Sequence, residues 1–247
     1  LEEKSFREEG GMDLSTDVKK LALANGVDLA GIAPIDRFTA APAGHHPEDI
    51  LPGAKAVISC ARRIPGGVLL GPATAYHRAM EVAHARLDFA AAQVSLFLEE
   101  TGGRALPVPA DEPYAHWEAD RLYGRGDLSH KHAAQAAGLG RLGRNSLLIT
   151  PQFGNRVHLV SVVTDVDLPF DPILDWEPCA AGCTACRKAC PVGAIIADQQ
   201  VNQALCRPNL IQRLPKGTVI ESCRICRRVC PAGLKRNSSK VEIGKDN

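Results

Sequence analysis

Between Ala73 and Thr101 apolar residues recur at helical spacing. Ala79, Val82, Ala83, Leu87, Ala90, Val94, Phe97 and Leu98 fall on one stripe, and Gly102-Gly103 closes the run. A shorter amphipathic stretch, Asp13 to Asn25, offers Val18, Leu21, Ala22 and Leu23 to a buried face and stops at Asn25-Gly26. Short apolar runs bounded by Pro or Gly read as buried strands at Val27 to Ala33, Ala56 to Ala61, Ala105 to Val108, Ser146 to Thr150 and Val157 to Thr164. Asp127 to Gly138 is predicted as a further helix, with Ser129 as its N-cap and Gly138 as its exit. Helices and strands interleaved to about residue 168 predict a layered α+β domain, and Leu168-Pro169-Phe170-Asp171-Pro172 marks its boundary. Three regions are therefore expected: an α/β domain over 12–170, a small module over 171–234, and a polar tail over 235–247.

Composition changes this picture little. At 247 residues, 45% hydrophobic and 23% charged, the chain has enough apolar material for one sizeable core plus a small module. No run of about eighteen apolar residues occurs, so no membrane helix is expected. Leu1 to Gly11 is polar and acidic, unlike an export signal; Met12 is read as a native start after an upstream extension, and the expected compartment is the cytoplasm. Charge is unevenly spread. From Cys179 onward there are twelve Lys or Arg against four Asp or Glu, a formal +8, which leaves −7 on the residues before it.

Cysteine supplies the chemistry. Eight of the nine fall in the last third, in Cys179-Ala-Ala-Gly-Cys183-Thr-Ala-Cys186-Arg-Lys-Ala-Cys190-Pro191, in Cys223-Arg-Ile-Cys226-Arg-Arg-Val-Cys230-Pro231, and at Cys206 between them. Each CxxCxxxCP string has ferredoxin spacing, in which the Cys before Pro ligates the other string's [4Fe-4S] cluster. One cluster is then assigned Cys179, Cys183, Cys186 and Cys230, the other Cys190, Cys206, Cys223 and Cys226. Three residues separate Cys179 from Cys183 where the ferredoxin run has two. Disulfides suit small secreted chains, and structural zinc does not require the repeated prolyl signature. Arg187, Lys188, Arg224, Arg227 and Arg228 are expected to offset thiolate charge, in preference to forming an RNA surface. Metal binding is expected to be coupled to folding of so small and polar a module.

Other features carry weaker signals. His45-His46 sits in a surface connection and is read as solvated. Tyr114, His116, Trp117 and Tyr123 cluster in an irregular stretch, either bordering a flat ligand or capping the core edge. Glycines at 138, 140 and 143 permit close backbone approach, but their loop follows a helix and precedes a strand, the reverse of a dinucleotide fingerprint. Cys60 is expected to be a small buried hydrophobe.

The run His132-Ala-Ala-Gln-Ala-Ala-Gly138-Leu139-Gly140-Arg-Leu-Gly143-Arg144-Asn145-Ser-Leu-Leu-Ile149, followed by the two cysteine strings, resembles epoxyqueuosine reductase and its shorter cobalamin/iron-sulfur relatives. The resemblance runs from about Leu51 to Pro231. It implies a nitroreductase-like α/β domain holding base-off cobalamin, followed by a dicluster ferredoxin-like domain whose two [4Fe-4S] clusters deliver electrons to cobalt. Ser129, His132, Gly138, Leu139, Gly140, Gly143, Arg144 and Asn145 are the positions it places against the corrin. Asp127 and His130 are candidate general acids. The family's Asp-Thr-Gly-Pro stretch reads Gly126-Asp127-Leu128-Ser129-His130 here, and the chain stops soon after the second string. The expected function is thus a redox protein served by an external low-potential electron donor and acting on a small-molecule substrate or a corrinoid protein, with tRNA set aside and no membrane involved. Epoxyqueuosine reduction on tRNA, and electron carriage with flavin or no corrinoid, are the alternatives.

Overall fold

The structure is a computed structural model and describes residues 13–120 and 122–234. The expected start at Met12 and the tail over 235–247 lie outside the described residues. In chain order the elements are α1 (Leu14–Ala24), β1 (Leu29–Pro34), α2 (Pro47–Ile50), β2 (Ala56–Arg63), α3 (Ala73–Glu100), β3 (Ala105–Val108), β4 (His116–Glu118), β5 (Tyr123–Arg125), α4 (His130–Ala136), β6 (Arg141–Leu142), β7 (Leu148–Ile149) and β8 (Val157–Thr164). The cysteine-bearing end adds α5 (Ala185–Ala189), β9 (Ile195–Ala197), β10 (Gln200–Val201), α6 (Gln203–Leu210), β11 (Ile211–Arg213), β12 (Val219–Glu221), α7 (Ile225–Arg228) and α8 (Pro231–Leu234).

Four strands form the central sheet in the order β1-β2-β8-β3, each antiparallel to its neighbours. The chain leaves β2, crosses through α3 to β3, and β8 later fills the gap between them. Strand periodicity then sorts the side chains to two faces. Ala56, Ile58, Cys60, Val160 and Val162 pack with Val18 and Ala22 of α1 and with Leu87, Ala90, Val94 and Leu98 of α3. Val57 and Val163 face the other way, toward Ala133 of α4 and Ala137 just beyond it. Burial on both faces explains why β2 reads as a continuous apolar run rather than an alternating one.

The long helix departs from the expected stripe in its first half. Val82 is 52% exposed, while Tyr76 and Met80 are buried with Ile64 and Leu69. This half packs on Ile64 and on Leu69 of the 66–69 turn, so a different line of the helix is buried there. Leu23 of α1 likewise stays 47% exposed.

The boundary segment is tied to the sheet. Asp171 pairs with Lys19 at 2.8 Å and accepts the Ile32 backbone N–H at 2.9 Å, while Arg37 donates to its carbonyl at 2.7 Å. Beyond it apolar burial is sparse: among the described residues after 171, Ala194, Ile195 and Ile220 are the buried apolar side chains besides Cys186 and Cys230. Arginines dock this part of the chain instead. Arg224 donates to the Gly71 carbonyl, and Arg227 donates to those of Asn155 and, at 3.2 Å, Val157. Two of the cations expected to offset thiolate charge thus also bond to backbone carbonyls of the sheet domain, while the Arg227 charge still favours the Cys226 thiolate. No described helix is long and apolar enough to cross a membrane.

Candidate functional site

All nine cysteines carry free thiols. Cys190, Cys206, Cys223 and Cys226 line one cavity of about 580 Å³, and Cys179, Cys183, Cys186 and Cys230 line a smaller one beside it. The structure thus brings the eight together four by four, in the sets that crossed ligation calls for. Local chain geometry accounts for part of this. Cys190 ends α5 in an extended conformation, φ −68° and ψ 114°, as the residue before Pro191 is driven to do. The chain therefore leaves the helix at Cys190 and carries this thiol away from Cys186. Among the described residues, no three His, Cys, Asp or Glu side chains converge on a single-ion position. The thiols instead ring the walls of two spaces.

Asn145 lies in the partition between them. It is 5% exposed, lines both cavities, and its Nδ2 donates to the Cys226 carbonyl at 3.5 Å. Each cavity also has a backbone N–H aimed at sulfur, from Arg144 to Cys179 Sγ at 3.5 Å and from Ala194 to Cys190 Sγ at 3.3 Å. Burial raises the thiol pKa values of Cys179, Cys186 and Cys206, and pushes Cys226 up to about 11. Neighbouring thiols add to the rise within each set, Cys230 and Cys183 acting on Cys179, and Cys223 and Cys190 on Cys206. Thiols so placed become thiolates when a metal cation supplies the opposing charge. The donor set and its N–H bonds fit an iron-sulfur cluster in each cavity.

The eight positions expected against a corrin fall into two groups in the structure. Ser129 holds the N-cap position of α4, but its hydroxyl meets His132 Nδ1 at 2.7 Å instead of capping the helix, and both residues are exposed. Gly138 has φ +74°, and a Cβ there would strike the Pro172 carbonyl; one on Gly140 would strike the carbonyl of Ile149. The missing side chains make room for the chain itself, because β6 and β7 form a hairpin folded tightly on this loop. Leu139 is buried among Ala61, Ala134 and Leu142, and the Gly143 N–H closes the turn onto the Leu147 carbonyl at 2.9 Å. Arg144 and Asn145 face the cysteine cavities, and none of the other six positions lines either one.

His130 has both ring nitrogens engaged, by Ser161 Oγ at 3.0 Å and the Pro109 carbonyl at 2.8 Å, and burial lowers its pKa. Both nitrogens of this candidate general acid are thus taken up by contacts within the fold. Asp127 is half-buried, and its carbonyl contacts His45 Nδ1 at 3.2 Å. His46 caps α2. The two loop histidines therefore diverge. Cys60 is fully enclosed, its pKa pushed up to about 12 by burial, as suits an inert core thiol. Tyr114 and Trp117 stack at 5.9 Å beneath the Arg207 guanidinium, and Gln203 bonds to the backbone of Gly124. The aromatic stretch is thus a small β4-β5 hairpin laid on α6.

One constellation escaped the sequence reading. His84 Nε2 and His158 Nδ1 are 2.8 Å apart, His84 Nδ1 is 3.3 Å from the Asp111 carboxylate, and Tyr114 donates to that carboxylate at 3.2 Å. His158 Nε2 is buried without a partner among the described residues, and burial first, then the Arg227 charge, holds this histidine well below its usual pKa. A signal existed: His158 is in phase with buried Val160 and Val162 on one face of β8.

The chain is similar to epoxyqueuosine reductases. The Bacillus cereus protein of that name is 29% identical over 206 residues, covering 75% of this chain and 50% of the relative. The chain thus spans about half the length of that protein. A solved epoxyqueuosine reductase with an epoxyqueuosine-modified tRNA-Tyr stem loop superposes with a TM-score of 0.61 at 21% identity, over 89% of this chain and 65% of that one. A reductive dehalogenase, described as a B12-dependent enzyme, superposes with a TM-score of 0.68 at 19% identity, over 91% of this chain and 33% of that one. No protein-family model matches. The mixed α/β fold is therefore one shared with both kinds of enzyme. The expectation that set tRNA aside is overturned by these findings, since the relative is named for a tRNA nucleoside and the solved neighbour holds a tRNA stem loop.

Proposed function

We propose that the chain is the redox core of a reductase of the epoxyqueuosine type, with two [4Fe-4S] clusters serving reductive chemistry on a tRNA-borne substrate. The observation that carries this reading is the division of eight cysteines between two adjoining cavities, four to each. The nearest rival metal, zinc, takes ligands gathered about one ion, whereas thiols spread round a cavity suit a multi-metal cage. What the clusters supply when bound is single-electron transfer from an external low-potential donor. The chain's own residues do the rest. Cys179, Cys183, Cys186 and Cys230 would hold one cluster, and Cys190, Cys206, Cys223 and Cys226 the other. Asn145 fixes the wall between them, and the Arg144 and Ala194 N–H groups favour thiolate over thiol. Asp127 is the better candidate proton donor, since His130 has both nitrogens engaged.

Cobalamin enters this proposal by likeness to the family and to a B12-dependent neighbour. Of the residues expected to hold it, Arg144 and Asn145 line the cysteine cavities, and the other six line neither. That same arrangement favours a second reading, a dicluster electron carrier without a corrinoid. Anaerobic reconstitution with iron, sulfide and hydroxocobalamin, followed by desalting and incubation with dithionite and epoxyqueuosine-containing tRNA, separates the two. Retained corrin and conversion to queuosine are expected. Cluster-loaded protein that keeps no corrin and leaves the tRNA unchanged would establish the carrier instead.

A further inference from the structure

Lys131 stands in the first turn of α4 and reaches the wall of the larger cysteine cavity, the one lined by Cys190, Cys206, Cys223 and Cys226. Its ammonium donates to Ser146 Oγ, a residue 6% exposed and held at φ +62°, a backbone region that side-chain-bearing residues seldom occupy. The lysine is half-buried, and among the described residues no carboxylate lies within ion-pair range of it. Burial alone drives its pKa down. A half-enclosed ammonium without a counter-ion is costly, unless the space that it faces holds negative charge. The smaller cavity differs, because its cation, Arg144, is already committed to the Cys183 carbonyl at 2.7 Å and to Asp198 at 3.5 Å.

We propose that Lys131 sets the reduction potential of the cluster held by Cys190, Cys206, Cys223 and Cys226, its uncompensated charge favouring the reduced, more negative state. The inference rests on the two-cluster reading. A cube ligated by four thiolates carries net negative charge and gains one more on taking up an electron, and a fixed cation in its wall stabilises the reduced form more than the oxidised one. Ser146 acts as a positioning residue by anchoring the ammonium.

The test is an anaerobic, mediator-buffered dithionite titration of the iron-loaded protein followed by electron paramagnetic resonance, with iron and sulfide measured first. Lys131→Gln should lower the midpoint of one cluster, by roughly a tenfold change in its reduced-to-oxidised ratio at fixed poise, or about 59 mV for one electron. The other cluster should not move, and Lys131→Arg should keep the original value. Ser146→Ala leaves the charge in place but frees it, so a smaller shift in the same cluster is expected; this variant carries the test if Lys131→Gln assembles poorly. Full iron and sulfide with unchanged midpoints in both variants, or equal shifts of both clusters, would overturn the role of Lys131 alone. Iron and sulfide missing from the unaltered protein would overturn the two-cluster reading and this inference with it.

Discussion

The two ends of this chain hold their shape by different means. Up to residue 170 the fold rests on apolar burial: Ile32, Ile58, Leu87, Val94, Val160 and Val162 are all removed from solvent between a sheet and its helices. Among the described residues after 171, only Ala194, Ile195 and Ile220, with two cysteines, are comparably enclosed, while Ile173, Ile196, Leu205, Ile211 and Val219 remain exposed. A stretch of that size without a core of its own needs another source of cohesion. Eight thiols and a set of arginine-to-carbonyl bonds are what it has. On the proposed two-cluster reading, the contrast teaches that metal held by the cysteines would do for the shorter region what apolar burial does for the sheet domain.

The largest expected effect is therefore selective collapse. Stripping iron from the loaded protein with a chelator should remove amide-exchange protection from residues 183–230 and leave β2, α3 and β8 protected. Loss of both regions together would erase the distinction. A cut in the opposite direction is Leu87→Ala, which empties a fully buried position between helix and sheet. It should cost about 2–5 kcal/mol in the denaturation of the sheet domain. Iron content at low temperature should not change.

Smaller effects sharpen the boundary. Gly138→Ala forces a Cβ onto the Pro172 carbonyl at φ +74° and should destabilise by about 1–3 kcal/mol, loosening the segment that leads into the cysteine region. A second glycine of the same loop with a negative φ would not show the dihedral part of this cost. Acid should act on the sheet domain through its enclosed histidines. Burial lowers the pKa of His130 and His158 in the folded state, so below the usual value of 6.5 the unfolded chain takes up protons that the fold resists. Stability should be complete above about pH 6.5 and fall as pH drops, by at most about 1.4 kcal/mol per pH unit for each histidine. His158→Gln should flatten that decline in a series of urea denaturations. A decline as steep as before would show that His158 is not one of the groups responsible.

How much of this was readable in advance follows the same division. β2, β3 and β8 could be drawn from short apolar runs bounded by Pro or Gly, and α3 from its helical spacing, because both patterns report directly on what a neighbour covers. The cysteine sets were legible for a local reason too, since Pro191 dictates the path of the chain after Cys190. What eluded the sequence depends on contacts far apart in the chain. The glycines of 138–143 read as room for a ligand, but Pro172 and Ile149 fill that room. Arg224 and Arg227 read as charge compensation, and the Arg227 charge does act on Cys226, but their bonds to the Gly71 and Asn155 carbonyls, which dock the two parts of the chain, had no local signal. Val82 left the expected stripe because the 66–69 turn buries a different line of α3. The pairing of His84 with His158 joins residues 74 positions apart and has no local signature beyond phase.

Iron and acid-labile sulfide, quantified per chain after anaerobic reconstitution of the unaltered protein and of Cys206→Ala, address the paired-cluster account most directly. About eight of each are predicted for the unaltered chain, and about four for Cys206→Ala, which deprives a single cube of a ligand. Zinc in place of iron, or a Cys206→Ala protein with the full complement, would contradict it.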